Sequence, residues 1–242
     1  NYRYLNPFEY FIDRFTFMRG NPYLQPQYTH GFSLNYTWKQ MFNFTLGSDI
    51  TNDAITESMG QDEETKRSWV IRENLGRQVN SYLNINTPYK VGNFWSINNN
   101  MTLVHMYFKG PIAGSFVDQG GFMFQLNNMN NFKINKSFSA ETSLAYTSPF
   151  VYNIYKIHSR WNLDVGVNYT FKDPRSTLKL AATDIFRTSR NNVSTNFGAF
   201  LTDIRQYNDS QTVRLTYTFR FGNLKQNFRK SDSGNDERDR AQ

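Results

Sequence analysis

One feature limits this chain more than any other: apolar and polar residues alternate, over strand length, again and again. Tyr28, His30, Phe32, Leu34, Tyr36 and Trp38 fall on one side of an extended segment, with Thr29, Gly31, Ser33, Asn35 and Thr37 on the other. A period of two marks a strand with unlike faces. The pattern returns at 42–46, 79–86, 95–103, 122–126, 138–146, 161–171, 178–182 and 213–221, about nine strands in all. The cleanest copy sets Trp161, Leu163, Val165, Val167, Tyr169 and Phe171 against Asn162, Asp164, Gly166, Asn168 and Thr170.

The polar faces are mostly Asn, Thr, Ser and Gly with some charge, too polar for a second buried layer and suited to a wet lumen. Many stretches approach the roughly 9–11 residues of a tilted membrane strand, where soluble sheets average nearer 5–6. No apolar run is long enough for a membrane helix. A mean hydropathy of -0.66 does not oppose a membrane location, because only alternate residues of a barrel wall meet lipid. The fold expected is all-β: a transmembrane antiparallel up-and-down β-barrel, of which this chain holds about nine or ten strands.

The connections sharpen the expectation. Short ones fall near 39–40, 89–92, 134–137 and 172–175, and long ones near 52–68, 108–119, 147–158 and 187–210. Outer-membrane barrels have short periplasmic turns and long extracellular loops, and the two kinds alternate here. Trp38, Phe42, Trp95, Phe138, Tyr169, Phe171 and Phe221 lie beside short turns, where a periplasmic aromatic girdle belongs. The chain divides into 1–26, an extracellular loop with the remnant of a preceding strand; 27–222, the membrane strands; and 223–242, a polar periplasmic tail.

Other classes fare poorly. The net charge of +7 is scattered, so nucleic-acid binding is not indicated. With no cysteine, disulfides and Cys-based metal sites are impossible. His30, His105 and His158 lack ligand spacing. No nucleophile elbow or phosphate loop appears, so no catalytic residue, cofactor or metal is assigned. Asp62, Glu63 and Glu64 offer clustered carboxylates for a cation, or simply a solvated run. The charges Asp164, Lys179, Arg214 and Arg220 lie on polar strand faces and suggest an interior salt-bridge network.

Two stretches before the first clear strand are turn chemistry: Leu5-Asn6-Pro7-Phe8 and Gly20-Asn21-Pro22-Tyr23-Leu24-Gln25-Pro26. They resemble the "LNPF … GNPxLxP" segment of the Bacteroidetes outer-membrane β-barrel family, which is related to TonB-dependent receptors. Thr183-Asp184-Ile185-Phe186 resembles that family's "NDIF" segment, with Thr183 in place of the usual Asn, and Tyr217-Thr218-Phe219-Arg220-Phe221-Gly222 resembles its closing strand.

The resemblance implies the C-terminal portion of a plugged barrel for energy-coupled uptake of a bulky nutrient. It implies outer-membrane lipid as surroundings, and as partners an N-terminal barrel half, a plug and, through the plug, TonB. The chain starts at Asn1 without an apolar leader, which reads as a processed chain or a piece of a longer one. The alternatives are a small barrel with a structural or adhesive role, and an outer-membrane hydrolase. Loop candidates for ligand contact are Asn6, Phe8, Asn21, Tyr152 and Phe197, with Phe150, Tyr155 and Phe200 as further aromatics that either stack on a ligand or pack the loops.

Overall fold

The structure, a computed structural model, describes residues 4–12, 14–62, 64–65, 67–112, 115–197 and 200–221. Two short strands come first, β1 (Glu9–Phe11) and β2 (Thr16–Arg19), followed by β3 (Tyr28–Trp38) and β4 (Phe42–Asn52). A hairpin of β5 (Ile55–Gln61) and β6 (Ser68–Asn74) leads into β7 (Arg77–Val91), β8 (Trp95–Ile112), β9 (Ser115–Lys133) and β10 (Phe138–Thr147). The short β11 (Phe150–Tyr152) and β12 (Tyr155–Ile157) precede β13 (Arg160–Thr170) and β14 (Ser176–Thr183). A last hairpin, β15 (Arg190–Phe197) and β16 (Phe200–Tyr207), precedes β17 (Thr212–Phe219).

The nine alternating stretches are the nine strands of one antiparallel sheet, in the order β3-β4-β7-β8-β9-β10-β13-β14-β17. Register keeps every apolar stripe on the same face. One row runs Leu34, Leu46, Leu83, Leu103, Phe124 across five neighbouring strands. Another runs Val165, Ala182, Val213. The apolar face is open: Leu34 is 68 % exposed, Phe32 67 % and Leu215 66 %. A continuous apolar belt of this size has no place in water and is what a lipid-facing wall requires. Among the described residues no helix is long and apolar enough to cross a membrane.

Short connections and aromatic rings coincide. Trp38 meets Phe42 at 5.3 Å, Trp95 meets Phe132 at 5.7 Å, and Phe138 meets Tyr169 at 4.8 Å, every one of these rings lying at the short-turn end of its strand. Tyr169, Phe171 and Tyr217 continue the band. At the other end of the wall Lys109 and Asp118 form an ion pair at 3.3 Å, and the Tyr107 hydroxyl donates to Asp118 at 2.7 Å. Between these two borders the outward residues of β8 run from Ile97 to His105. The interval from Ile97 to Tyr107, at ~3.3 Å per residue and a tilt of roughly 40°, spans about 25 Å, the height of an outer-membrane apolar band.

Polar side chains interrupt that band, among them three neighbouring amides. Asn99, Asn128 and Asn130 share the apolar face through register. They satisfy one another: Asn128 Nδ2 donates to Asn99 Oδ1 at 2.6 Å, Asn130 Nδ2 to Asn128 Oδ1 at 2.6 Å, and Trp95 Nε1 to Asn130 Oδ1 at 3.0 Å. Amides facing hydrocarbon are tolerated only when paired in this way.

Several expectations need correction. Residues 108–119 are not a loop, since β8 runs to Ile112 and β9 starts at Ser115. Alternation fades there because Phe108, Ile112 and Val117 on the lumenal face are themselves buried, by Ile154 with Leu75 and Tyr155 packed alongside. A strand buried on its normally wet face loses its period-two signature. The segment 1–26 carries the two short strands β1 and β2, the long connection expected at 52–68 extends into the β5–β6 hairpin, and 187–210 contains the β15–β16 hairpin. These segments form two further four-stranded sheets, β1-β2-β6-β5 and β11-β12-β15-β16, in which β2 pairs parallel with β6. The strands are short or lack a clean stripe, so their partners, not their pattern, make them. The tail 223–242 lies outside the described residues.

Candidate functional site: the loop sheets at the barrel mouth

The two loop sheets lie on the long-connection side, and one folds over the lumen. Ser148 N donates to Phe124 O at 2.8 Å, and Gln119 donates its side-chain amide to Asn153 O. Val151 lies against Gly121. Gln119 and Gly121 belong to the lumenal face of β9, so the β11–β12 loop covers the mouth from inside. The buried apolar cluster of Phe108, Ile112, Val117 and Ile154 fixes it there. The only apolar cluster of buried residues among the described residues thus lies beyond the lipid belt, where water surrounds the chain and burial is favourable.

The segments containing Asn6 and Asn21 lock together. Asn21 N donates to Tyr4 O at 2.6 Å, and Asn21 Nδ2 to Arg72 O at 3.0 Å. Asn21 Oδ1 accepts from Tyr23 N at 3.0 Å, and Asn6 Oδ1 accepts from Phe8 N at 3.2 Å, the self-bonding turns that Asn favours. Gly20 is required by proximity: a Cβ there would lie 2.1 Å from Asn6 O. Asn6 Nδ2 also reaches the Tyr10 hydroxyl at 3.3 Å. Together these contacts set the walls of a cavity of about 410 Å³ lined by Tyr4, Tyr10, Met18, Val70 and Arg72, with the Arg72 guanidinium 3.8 Å from the Tyr4 ring centroid. Asn6 and Asn21 therefore position the aromatic walls and are largely spent on backbone.

The other candidates scatter. Phe8 is exposed, and Tyr152 sits at the end of β11 against the lumenal face of β9. The side chains of Phe197 and Phe200 lie outside the described residues. Tyr155 packs on the buried cluster, and burial pushes its phenol up. His105 lies 4.7 Å from Phe122, and His158 Nε2 lies 3.2 Å from Ser194 Oγ, so the histidines do not converge. Asp62 caps its own turn, accepting from Glu64 N and Thr65 N, which holds its carboxyl below the usual range. Glu63 lies outside the described residues. Among the described residues no three potential metal ligands gather.

The lumenal charges form a pair in place of the expected network. Lys179 pairs with Glu141, which also accepts from Asn168 Nδ2 at 3.4 Å. Asp164 accepts from Asn162 Nδ2 at 3.2 Å and from Asp184 N at 2.8 Å. Among the described residues Arg214, on the edge strand β17, joins neither group.

Sequence reading missed the role of Asp184. Its carboxylate is buried and accepts from Ser210 Oγ at 2.6 Å, Thr188 N at 2.9 Å and Ser189 N at 3.2 Å. Thr183 Oγ1 donates to Ser210 O at 2.7 Å. The pair Thr183-Asp184 thereby ties both ends of the 184–211 loop to the top of β14.

The described residues thus form an open antiparallel wall with a lipid-facing belt, an aromatic girdle on its short-turn rim and loops folded over its lumen. Residues 1–221 match the model of the outer membrane protein beta-barrel family. The chain belongs to this family. A search of curated proteins and a search of solved structures each match nothing. As an outer-membrane β-barrel protein, it resides in the bacterial outer membrane with its belt against lipid. In outer-membrane barrels generally, long loops face outward and short turns face the periplasm.

Proposed function

We propose that this barrel portion belongs to a larger, plugged, TonB-dependent-receptor-like transporter of the Bacteroidetes type, which takes up a bulky nutrient. The carrying observation is the parity of the wall. Its nine strands are antiparallel throughout, so β3 and β17 run in the same direction, and among the described residues each keeps an unpaired edge. Free backbone groups are not tolerated in hydrocarbon, and closing β3 directly on β17 would make a parallel seam. An odd number of further strands closes the wall correctly, in keeping with transporters of about 22 strands. Loops folded over the lumen suit ligand capture, with a plug moved by an inner-membrane partner. The reading assigns the chain no catalytic step.

The test is the intact mass of the natural protein isolated from outer membranes. A mass several-fold above the 28.5 kDa of this chain is expected. A mass near 28.5 kDa would sink the transporter reading in favour of a small closed barrel.

A further inference from the structure

The sheet β11-β12-β15-β16 has two unlike faces. On one, Val193 stands opposite Ile157 and Ile204, and Thr195 Oγ1 donates to Ile154 O at 2.9 Å. On the other, Arg190 stands opposite Tyr207, Asn192 opposite Arg205 and Ser194 opposite Asp203. Arg187 and His158 join this second face to line a cavity of about 630 Å³.

We propose that this cavity binds a small polyanion, a ligand carrying two or more phosphate or carboxylate groups. The inference concerns the outer loops alone and holds whether or not the barrel transports. Three guanidiniums line the cavity against one carboxylate. Asp203 Oδ2 accepts from Arg205 Nε at 3.2 Å and Nη2 at 3.0 Å, which answers a single cation. Arg187 stacks over the Tyr207 ring at 4.6 Å. Stacking of that kind fixes a guanidinium plane while leaving its N–H edge for an acceptor. The exposed Arg190 side chain lines the same cavity, and among the described residues no side-chain partner answers its guanidinium. The Tyr207 hydroxyl is buried without one, a state that is costly until an acceptor reaches it.

Planar forks of N–H donors match phosphate and carboxylate oxygens in pairs. The volume lies within the range of small-molecule sites, roughly 300–1,000 Å³, and exceeds what a single phosphate fills. The same groups can arrive on a soluble solute or on the headgroup of a neighbouring lipid, so the experiment has two arms.

In the first arm, the full natural protein in a neutral detergent is titrated calorimetrically with fructose 1,6-bisphosphate, with glucose as the neutral comparison. In the second, it is placed in phosphatidylcholine nanodiscs with or without phosphatidic acid, and the lipid retained is measured by native mass spectrometry. Binding that weakens at least tenfold in Arg190→Gln and in Arg187→Gln, but not in Arg175→Gln on the opposite rim, supports the proposal in either arm. The arm that responds identifies the source. Strand content and heat-modifiable gel mobility show that the variants have folded. Should they not fold, the wild-type affinity must still fall steeply with added salt. The proposal is overturned by absence of anion binding in both arms, by wild-type affinity in folded variants, or by a salt-independent affinity.

Discussion

Asp184 is 1 % exposed, yet its carboxylate is held as an anion. Burial alone would push its carboxyl up, but the hydrogen bonds from Ser210, Thr188 and Ser189 outweigh it and set it below the ordinary value. A depressed folded-state pKa stabilises above the unfolded value and stops doing so as pH falls through the folded one. The 184–211 loop is therefore expected to be firmly anchored at neutral pH and to open under strong acid. Asp184→Asn keeps the size but weakens the acceptor, at a cost of about 1–3 kcal/mol. Limited proteolysis across a pH series checks both points. Equal cleavage of wild type and Asp184→Asn at neutral pH would contradict the anchoring role. Thr183 also reaches Ser210 O across the same loop.

At the scale of the element, the β3–β4 turn is the informative one. Lys39 and Gln40 have φ of 50° and 56°, left-handed positions filled without glycine. Met41 N closes the turn on Trp38 O at 3.1 Å. A side chain in that region costs energy that glycine avoids. Lys39 gains something in exchange, its ammonium lying 4.6 Å from the Trp38 ring centroid, whereas Gln40 shows no such contact. Gln40→Gly is thus expected to stabilise the folded barrel by about 0.5–1 kcal/mol. Urea unfolding from lipid vesicles measures it, and an unchanged or lower midpoint counts against the account.

For the whole molecule the decisive question is which face meets lipid. Leu83 and Asn84 are chain neighbours near the middle of β7, on opposite faces by register. Asn84 Nδ2 donates to Thr102 Oγ1 at 2.8 Å within the polar face. Arginine on the lipid side near the bilayer midplane costs about 2–4 kcal/mol, while lumenal substitutions mainly tune selectivity. Leu83→Arg should destabilise folding into vesicles by that amount, and Asn84→Arg by much less. The reverse order would mean that the wall is turned inside out.

The amino-acid sequence by itself determined the wall. Alternation places each stripe without any knowledge of its partner, because successive side chains of a strand must point to opposite sides. The nine stretches, their short turns and the rings beside them were all legible in this way. Legibility ended where a strand owes its existence to its neighbours. Thr16–Arg19 is a strand because Ser68–Asn74 lies parallel to it, and the upper parts of β8 and β9 lost their stripe because Ile154 came to rest on their lumenal face. The gathering of Arg187, Arg190, Arg205 and Tyr207 was invisible for the same reason. Those residues are dispersed along a loop, and only cross-strand pairing with the fold-back at Asp184 brings their charges to one face.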